Sequence, residues 1–108
     1  MNDLQKSVAE FVRQHGLETD VAHRLLDALS ELGEVAKELL KGSSYGSAEF
    51  AMTRAWKEEL GDVLFSLFCV ANSTGVDMEE AVKLALTKYE RRIKIKGVAS
   101  SRRHKTQS

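Results

Sequence analysis

The chain has no proline and one cysteine among its 108 residues, and only 6% of it is aromatic. Without proline nothing forces a helix to break, and Pro-rich or collagen-like classes are excluded. The lone Cys69 cannot close an internal disulfide, so stability must come from a packed core. No apolar run approaches the roughly 18 residues of a membrane-crossing helix, and the start lacks a basic stretch followed by an apolar one. A soluble, cytoplasmic protein with no membrane partner is expected. What is present is 43% hydrophobic and 30% charged residues, the mixture of one domain built from long amphipathic helices.

The formal net charge of zero conceals an asymmetry. Residues 1–87 carry 8 Lys and Arg against 15 Asp and Glu, whereas the last 21 residues carry 8 against 1. An acidic body joined to a basic end suits a ligand that engages both signs better than it suits a uniformly basic nucleic-acid surface.

Hydrophobic periodicity predicts four helices separated by glycine-containing breaks. The first spans about 2–15, with Leu4, Val8, Phe11 and Val12 as its stripe and Gly16 as a left-handed end. The second spans about 20–41, capped by Thr19, with Leu25, Leu29, Leu32, Ala36 and Leu39 as its stripe and a stop at Gly42. Ser47 is a cap for a third helix over about 48–73, ended by Gly75. Asp77 and Glu80 form a capping-box-like start for a fourth, which runs to Gly97. Residues 1–97 therefore read as one domain, and the basic stretch 98–108 as a disordered tail. Short loops favour antiparallel neighbours, which gives an all-α, four-helix-bundle-like module with the second and third helices as its central hairpin. From Val63 to Ala71 the third helix is apolar nearly all round and needs cover on every side, so completion of the core by homo-oligomerisation is expected.

Two acidic pairs stand in matching contexts, Glu31-Leu-Gly-Glu34 and Glu59-Leu-Gly-Asp62. Acids three apart share a helix face, and an antiparallel hairpin lets the two pairs meet. Glu59 interrupts the apolar stripe of Trp56, Leu60, Val63, Leu67 and Val70. Two like charges about 5 Å apart repel by roughly 3 kcal/mol at an effective dielectric of 20, so such a cluster requires a cation. An all-carboxylate set without Cys or paired His selects Mg²⁺, with Mn²⁺ as a substitute, over zinc or copper. Glu31, Glu34, Glu59 and Asp62 are the expected metal ligands. Gly33 and Gly61, opposite the acids on their wheels, are expected to permit close helix packing behind them.

With its flanks, this pattern resembles the MazG-like all-α nucleoside triphosphate pyrophosphohydrolases. The resemblance rests on Glu31-x-x-Glu34, a spacer of 24 residues and Glu59-x-x-Asp62, together with Leu-x-Glu-Leu-Gly-Glu (29–34), Glu-Glu-Leu-Gly-Asp-Val-Leu (58–64), Ala-Asn-x-x-Gly-Val-Asp (71–77) and Lys-Tyr-x-Arg-Arg (88–92). It covers about residues 20–97. It implies hydrolysis of a nucleoside triphosphate, often a deoxynucleotide, to monophosphate and pyrophosphate by a homodimer or homotetramer, with nucleotide-pool clean-up as one purpose.

A triphosphate carries about four negative charges, so cationic side chains should meet its tail. Lys88, Arg91 and Arg92 share one face of the fourth helix and are the phosphate-binding candidates; Lys37 and Lys41 read as solvated. Glu38 or Glu58 is a candidate base for the attacking water, or else a solvated surface acid. Trp56 can stack on a nucleobase, with Phe11 and Tyr45 as competitors, and Asn72 can bond a base or sugar. His15, His23 and His104 fit no ligand pattern. A di-iron carboxylate bundle would need two Glu-x-x-His motifs and none occurs. The non-enzymatic alternative is a dimeric helical interaction module, or one that binds nucleic acid through Arg102, Arg103, His104 and Lys105; nucleic acid is not the expected partner.

Overall fold

A computed structural model describes residues 3–96. The elements are α1 (Asp3–Gln14), α2 (Val21–Gly42), α3 (Trp56–Thr74) and α4 (Met78–Lys96), with no strand among the described residues. The basic stretch 98–108 lies outside them.

The helix ends follow local chemistry. Gly16 and Gly75 take left-handed backbone, φ 62° and 70°, and Gly75 closes α3 by donating to the carbonyls of Ala71 and Asn72. Asp77 accepts from the amides of Glu79 and Glu80 at 3.0 and 3.3 Å and starts α4 as predicted. On α2 the cap is Asp20, which accepts from the His23 amide at 2.8 Å, and not Thr19 one residue earlier.

The third helix begins at Trp56 rather than at 48, and Ser47 does not cap it, since its hydroxyl donates to the carbonyl of Ser44. Past Gly42 the chain turns through left-handed Ser44, Tyr45 and Gly46 and folds back on the end of α2, where Ala51 donates to the Gly42 carbonyl at 2.8 Å. A Cβ on Gly42 would stand 2.5 Å from the Ala51 carbonyl oxygen and against the Phe50 ring, so only glycine allows this return. Tertiary anchoring keeps residues 48–55 from continuing α3 towards its N-terminus.

Helices α2 and α3 form the antiparallel central pair, and α1 packs on α3. A small core joins Val8 of α1 to Phe68 and Cys69 of α3, with Val12, Phe65 and Met78 around it. Fully buried Gln5 ties α1 to the α3–α4 joint. Its amide donates to Asn72 Oδ1 and the Val76 carbonyl at 2.9 and 2.8 Å, and its Oε1 accepts from the Met78 amide at 2.9 Å.

The face that α2 turns to α3 differs from the sequence expectation. Arg24, Ala28 and Glu38 are its buried residues, whereas Leu25, Leu29, Leu32 and Leu39 are exposed. On α3 the buried set is Ser66, Phe68, Cys69 and Ala71, and Leu60, Leu64 and Leu67 are exposed. Apart from Phe68 and Cys69, which pack on Val8 of α1, the buried residues of the two helices are thus small or polar, and the leucine stripes are exposed. Within one chain a Cβ on Gly33 or Gly61 would meet nothing within 4 Å, so neither glycine serves close packing there. No residue of α4 is buried.

Candidate metal centre

The seam is held in layers two helical turns apart. On α2, Arg24, Glu31 and Glu38 recur every seven residues and so point the same way. Glu38 meets Thr53, Glu31 meets Glu59 and Asp62, and Arg24 shares a cavity with Cys69.

In the middle layer one carboxylate oxygen from each of Glu31, Glu59 and Asp62 lies within 4.8 Å of the others. Glu31 and Glu59 are partly buried and Asp62 is exposed, so the group opens to solvent on one side. Loss of water contact, followed by the charges of Asp62, Glu31, Glu34 and Glu38, pushes the Glu59 carboxyl above the ordinary 4.5 of a glutamate. Three converging oxygen donors with like charge and no ion-pair partner among the described residues suit a hard divalent ion.

Glu34, the fourth acid expected, is partly buried on the same side of α2 but turns to Lys37, 3.6 Å away. Glu38 is neither solvated nor free. It is 8% exposed, accepts from the Thr53 hydroxyl at 2.7 Å and lies 3.3 Å from Lys41 Nζ. The Thr53 hydrogen bond and, after it, Lys41 hold its carboxyl below the usual range. Lys37 and Lys41 are therefore ion-paired. Glu58, in the first turn of α3, is exposed.

Trp56 opens α3 one turn before Glu59 and leans on Phe50, ring centroids 4.9 Å apart, at the edge of the site. Asn72 lies thirteen residues further along α3, roughly 20 Å from Glu59 by helical rise, with its amide engaged by Gln5. Phe11 packs on Phe65 and His15, and Tyr45 is an exposed loop residue. Lys88 and Arg92 flank the Tyr89 ring at 5.1 and 5.9 Å. None of Lys88, Arg91 and Arg92 pairs with Glu31, Glu34, Glu59 or Asp62 among the described residues, because α4 does not pack along α2. His23 pairs with Asp20 at 2.9 Å. His104 and the neighbouring basic residues lie outside the described residues.

Gln5, Thr53 and Arg24 escape sequence reasoning. Gln5 shares the face of Val8 and Val12, and Arg24 that of Glu31, so a polar residue interrupting a helix face was the signal available. Nothing local marks Thr53.

Comparison with known proteins follows the same elements. The MazG nucleotide pyrophosphohydrolase domain family matches residues 21–95. The uncharacterized protein YpjD of Bacillus subtilis (strain 168) is 34% identical over 99 residues, 87% of this chain and 86% of its own. The crystal structure of the putative pyrophosphatase YpjD from Bacillus subtilis superposes with a TM-score of 0.70 at 32% identity, covering 85% of this chain and 94% of that one. That of the Bacillus-conserved MazG protein, a nucleotide pyrophosphohydrolase, gives 0.67 at 33% identity, covering 81% and 85%. The chain belongs to the MazG nucleotide pyrophosphohydrolase family, hydrolases that act on nucleotide pyrophosphate bonds.

Proposed function

We propose that the protein hydrolyses nucleoside triphosphates, deoxynucleotides included, to monophosphate and pyrophosphate, with Mg²⁺ as cofactor and Mn²⁺ as substitute. The observation that carries this reading is the convergence of Glu31, Glu59 and Asp62 oxygens within 4.8 Å on the seam of two helices. Glu34 joins them by leaving an ion pair with Lys37 that is largely solvent-exposed, a contact worth little. Glu31, Glu34, Glu59 and Asp62 would hold the divalent ion, which would supply charge neutralisation for the phosphates and a more acidic water.

The chain's own groups do the rest. Glu58, exposed beside Glu59, positions the attacking water. Glu38 fixes the 43–55 segment through Thr53 and thereby places Trp56, packed on Phe50, as a wall at the rim of the site on the side away from the base. Asn72, towards the far end of α3 and held by Gln5, serves the base side of the nucleotide and not its phosphates.

Lys88, Arg91 and Arg92 serve the phosphate tail from a second copy of the chain. The exposed leucines of α2 and α3 and the unburied α4 support a homodimer or homotetramer in which α4 of one protomer covers the hairpin of its partner. No helix among the described residues is long and apolar enough to cross a membrane, and removal of surplus or damaged nucleotides in the cytoplasm is the role proposed.

The test is a panel of ribo- and deoxynucleoside triphosphates assayed for pyrophosphate with Mg²⁺, with and without chelator. Metal-dependent release of pyrophosphate is expected; release of orthophosphate alone, or no turnover with any nucleotide, rejects the proposal.

A further inference from the structure

A cavity of about 200 Å³ opens between α1, the start of α2 and the end of α3, lined among others by Ala9, Val12, Glu18, Arg24, Cys69 and Asn72. It is aligned with the acidic group. Arg24 precedes Glu31 by seven residues and Cys69 follows Asp62 by seven, so the cavity lies about 10 Å along the α2–α3 seam from the acids.

Its polar groups are unequally engaged. Arg24 is 8% exposed, yet its guanidinium has one partner, the carbonyl of Leu17, and no carboxylate within 4.0 Å among the described residues. A guanidinium carries five N–H donors, and no buried side-chain nitrogen among the described residues lacks a hydrogen-bond partner, so the Arg24 nitrogens that Leu17 does not engage are reached by solvent. Donors therefore remain for a ligand. The Asn72 amide is engaged by Gln5, whereas Glu18 at the rim makes no ion pair among the described residues. The cavity thus offers a strong donor and a strong acceptor over an apolar floor of Ala9 and Val12.

We propose that this cavity receives the base of the nucleotide and that Arg24 and Glu18 make guanine the preferred base. The proposal rests on the reading above, in which the phosphates lie at Glu31, Glu59 and Asp62. Guanine presents O6 and N7 as adjacent acceptors, the pair that a guanidinium meets with two parallel hydrogen bonds. Its N1–H and N2 amino donors suit a carboxylate. Adenine puts an amino group where guanine has O6 and so meets Arg24 donor to donor, and a pyrimidine has no N7. Arg24 and Glu18 act as specificity-determining residues; neither touches the reacting phosphorus.

The test compares kcat/KM for dGTP and dATP in wild type, Arg24→Gln and Glu18→Gln, and measures binding of guanosine and adenosine without metal by calorimetry. A ratio favouring dGTP by roughly ten- to hundredfold is expected in wild type, falling towards one in both variants. A wild-type ratio near one, or a preference that survives both substitutions, overturns the proposal. Should Arg24→Gln fail to fold, Glu18→Gln at the exposed rim decides. If no triphosphate is hydrolysed at all, the proposed function fails, and nucleoside binding judges the cavity separately. Guanosine binding that is lost in Glu18→Gln then upholds the base site, and absence of guanosine binding overturns it.

Discussion

The Thr53 hydroxyl donates to the Glu38 carboxylate at 2.7 Å, which joins the irregular 43–55 segment to α2 one layer above the acidic group. Thr53→Val should lower the denaturant midpoint and loosen this segment, seen as faster hydrogen exchange over 43–55, while Thr53→Ser retains most of the wild-type behaviour. The same bond sets an acid limb. A carboxyl held below its ordinary 4.5 in the folded protein adds stability that is present above that value and is lost as pH falls through the folded pKa. Denaturation followed from pH 6 downward should therefore show a shallower decline in Thr53→Val than in wild type.

Glu59 has the opposite sign. Its carboxyl is raised, so the unfolded chain loses this proton first, and metal-free stability falls as pH rises through 4.5 towards the folded value. Glu59→Gln removes both a partly buried charge and a proposed metal ligand. Its melting temperature in chelator at neutral pH should exceed that of wild type, while turnover drops by more than about a hundredfold. Unchanged turnover would remove Glu59 from the site.

Binding of a divalent ion by the folded chain alone raises its stability, by about 2.7 kcal/mol at one hundred times the dissociation constant. Thermal unfolding should shift upward by several degrees on adding Mg²⁺ or Mn²⁺, and the shift should vanish in Asp62→Asn.

Gln5 is fully buried and satisfies the Met78 amide as well as Asn72 and the Val76 carbonyl. Gln5→Leu keeps the volume but strands these groups, and should cost about 1–3 kcal/mol in urea denaturation.

Leu29 is 65% exposed on a stripe with Leu25 and Leu32. Leu29→Glu places a charge in the proposed interface. Sedimentation should show wild type as a dimer or larger and the variant shifted towards monomer; a wild type that sediments as a monomer would refute the assembly.

The sequence by itself determined the four helices, the left-handed ends at Gly16 and Gly75, the Asp77 cap and the placing of acids three apart on one face of α2 and of α3. Each of these depends on contacts within a few residues or on helical spacing, which periodicity reports directly. Only the tertiary structure decided which face of α2 meets α3. Periodicity identifies an apolar stripe without identifying its partner, and within one chain the leucines of α2 turn outward while Arg24, Glu31 and Glu38 line the seam. It also decided that α3 begins at Trp56. The start of that helix is set by the return of Ala51 to Gly42 and by the Thr53–Glu38 bond, which join residues too far apart in sequence for local pattern to register.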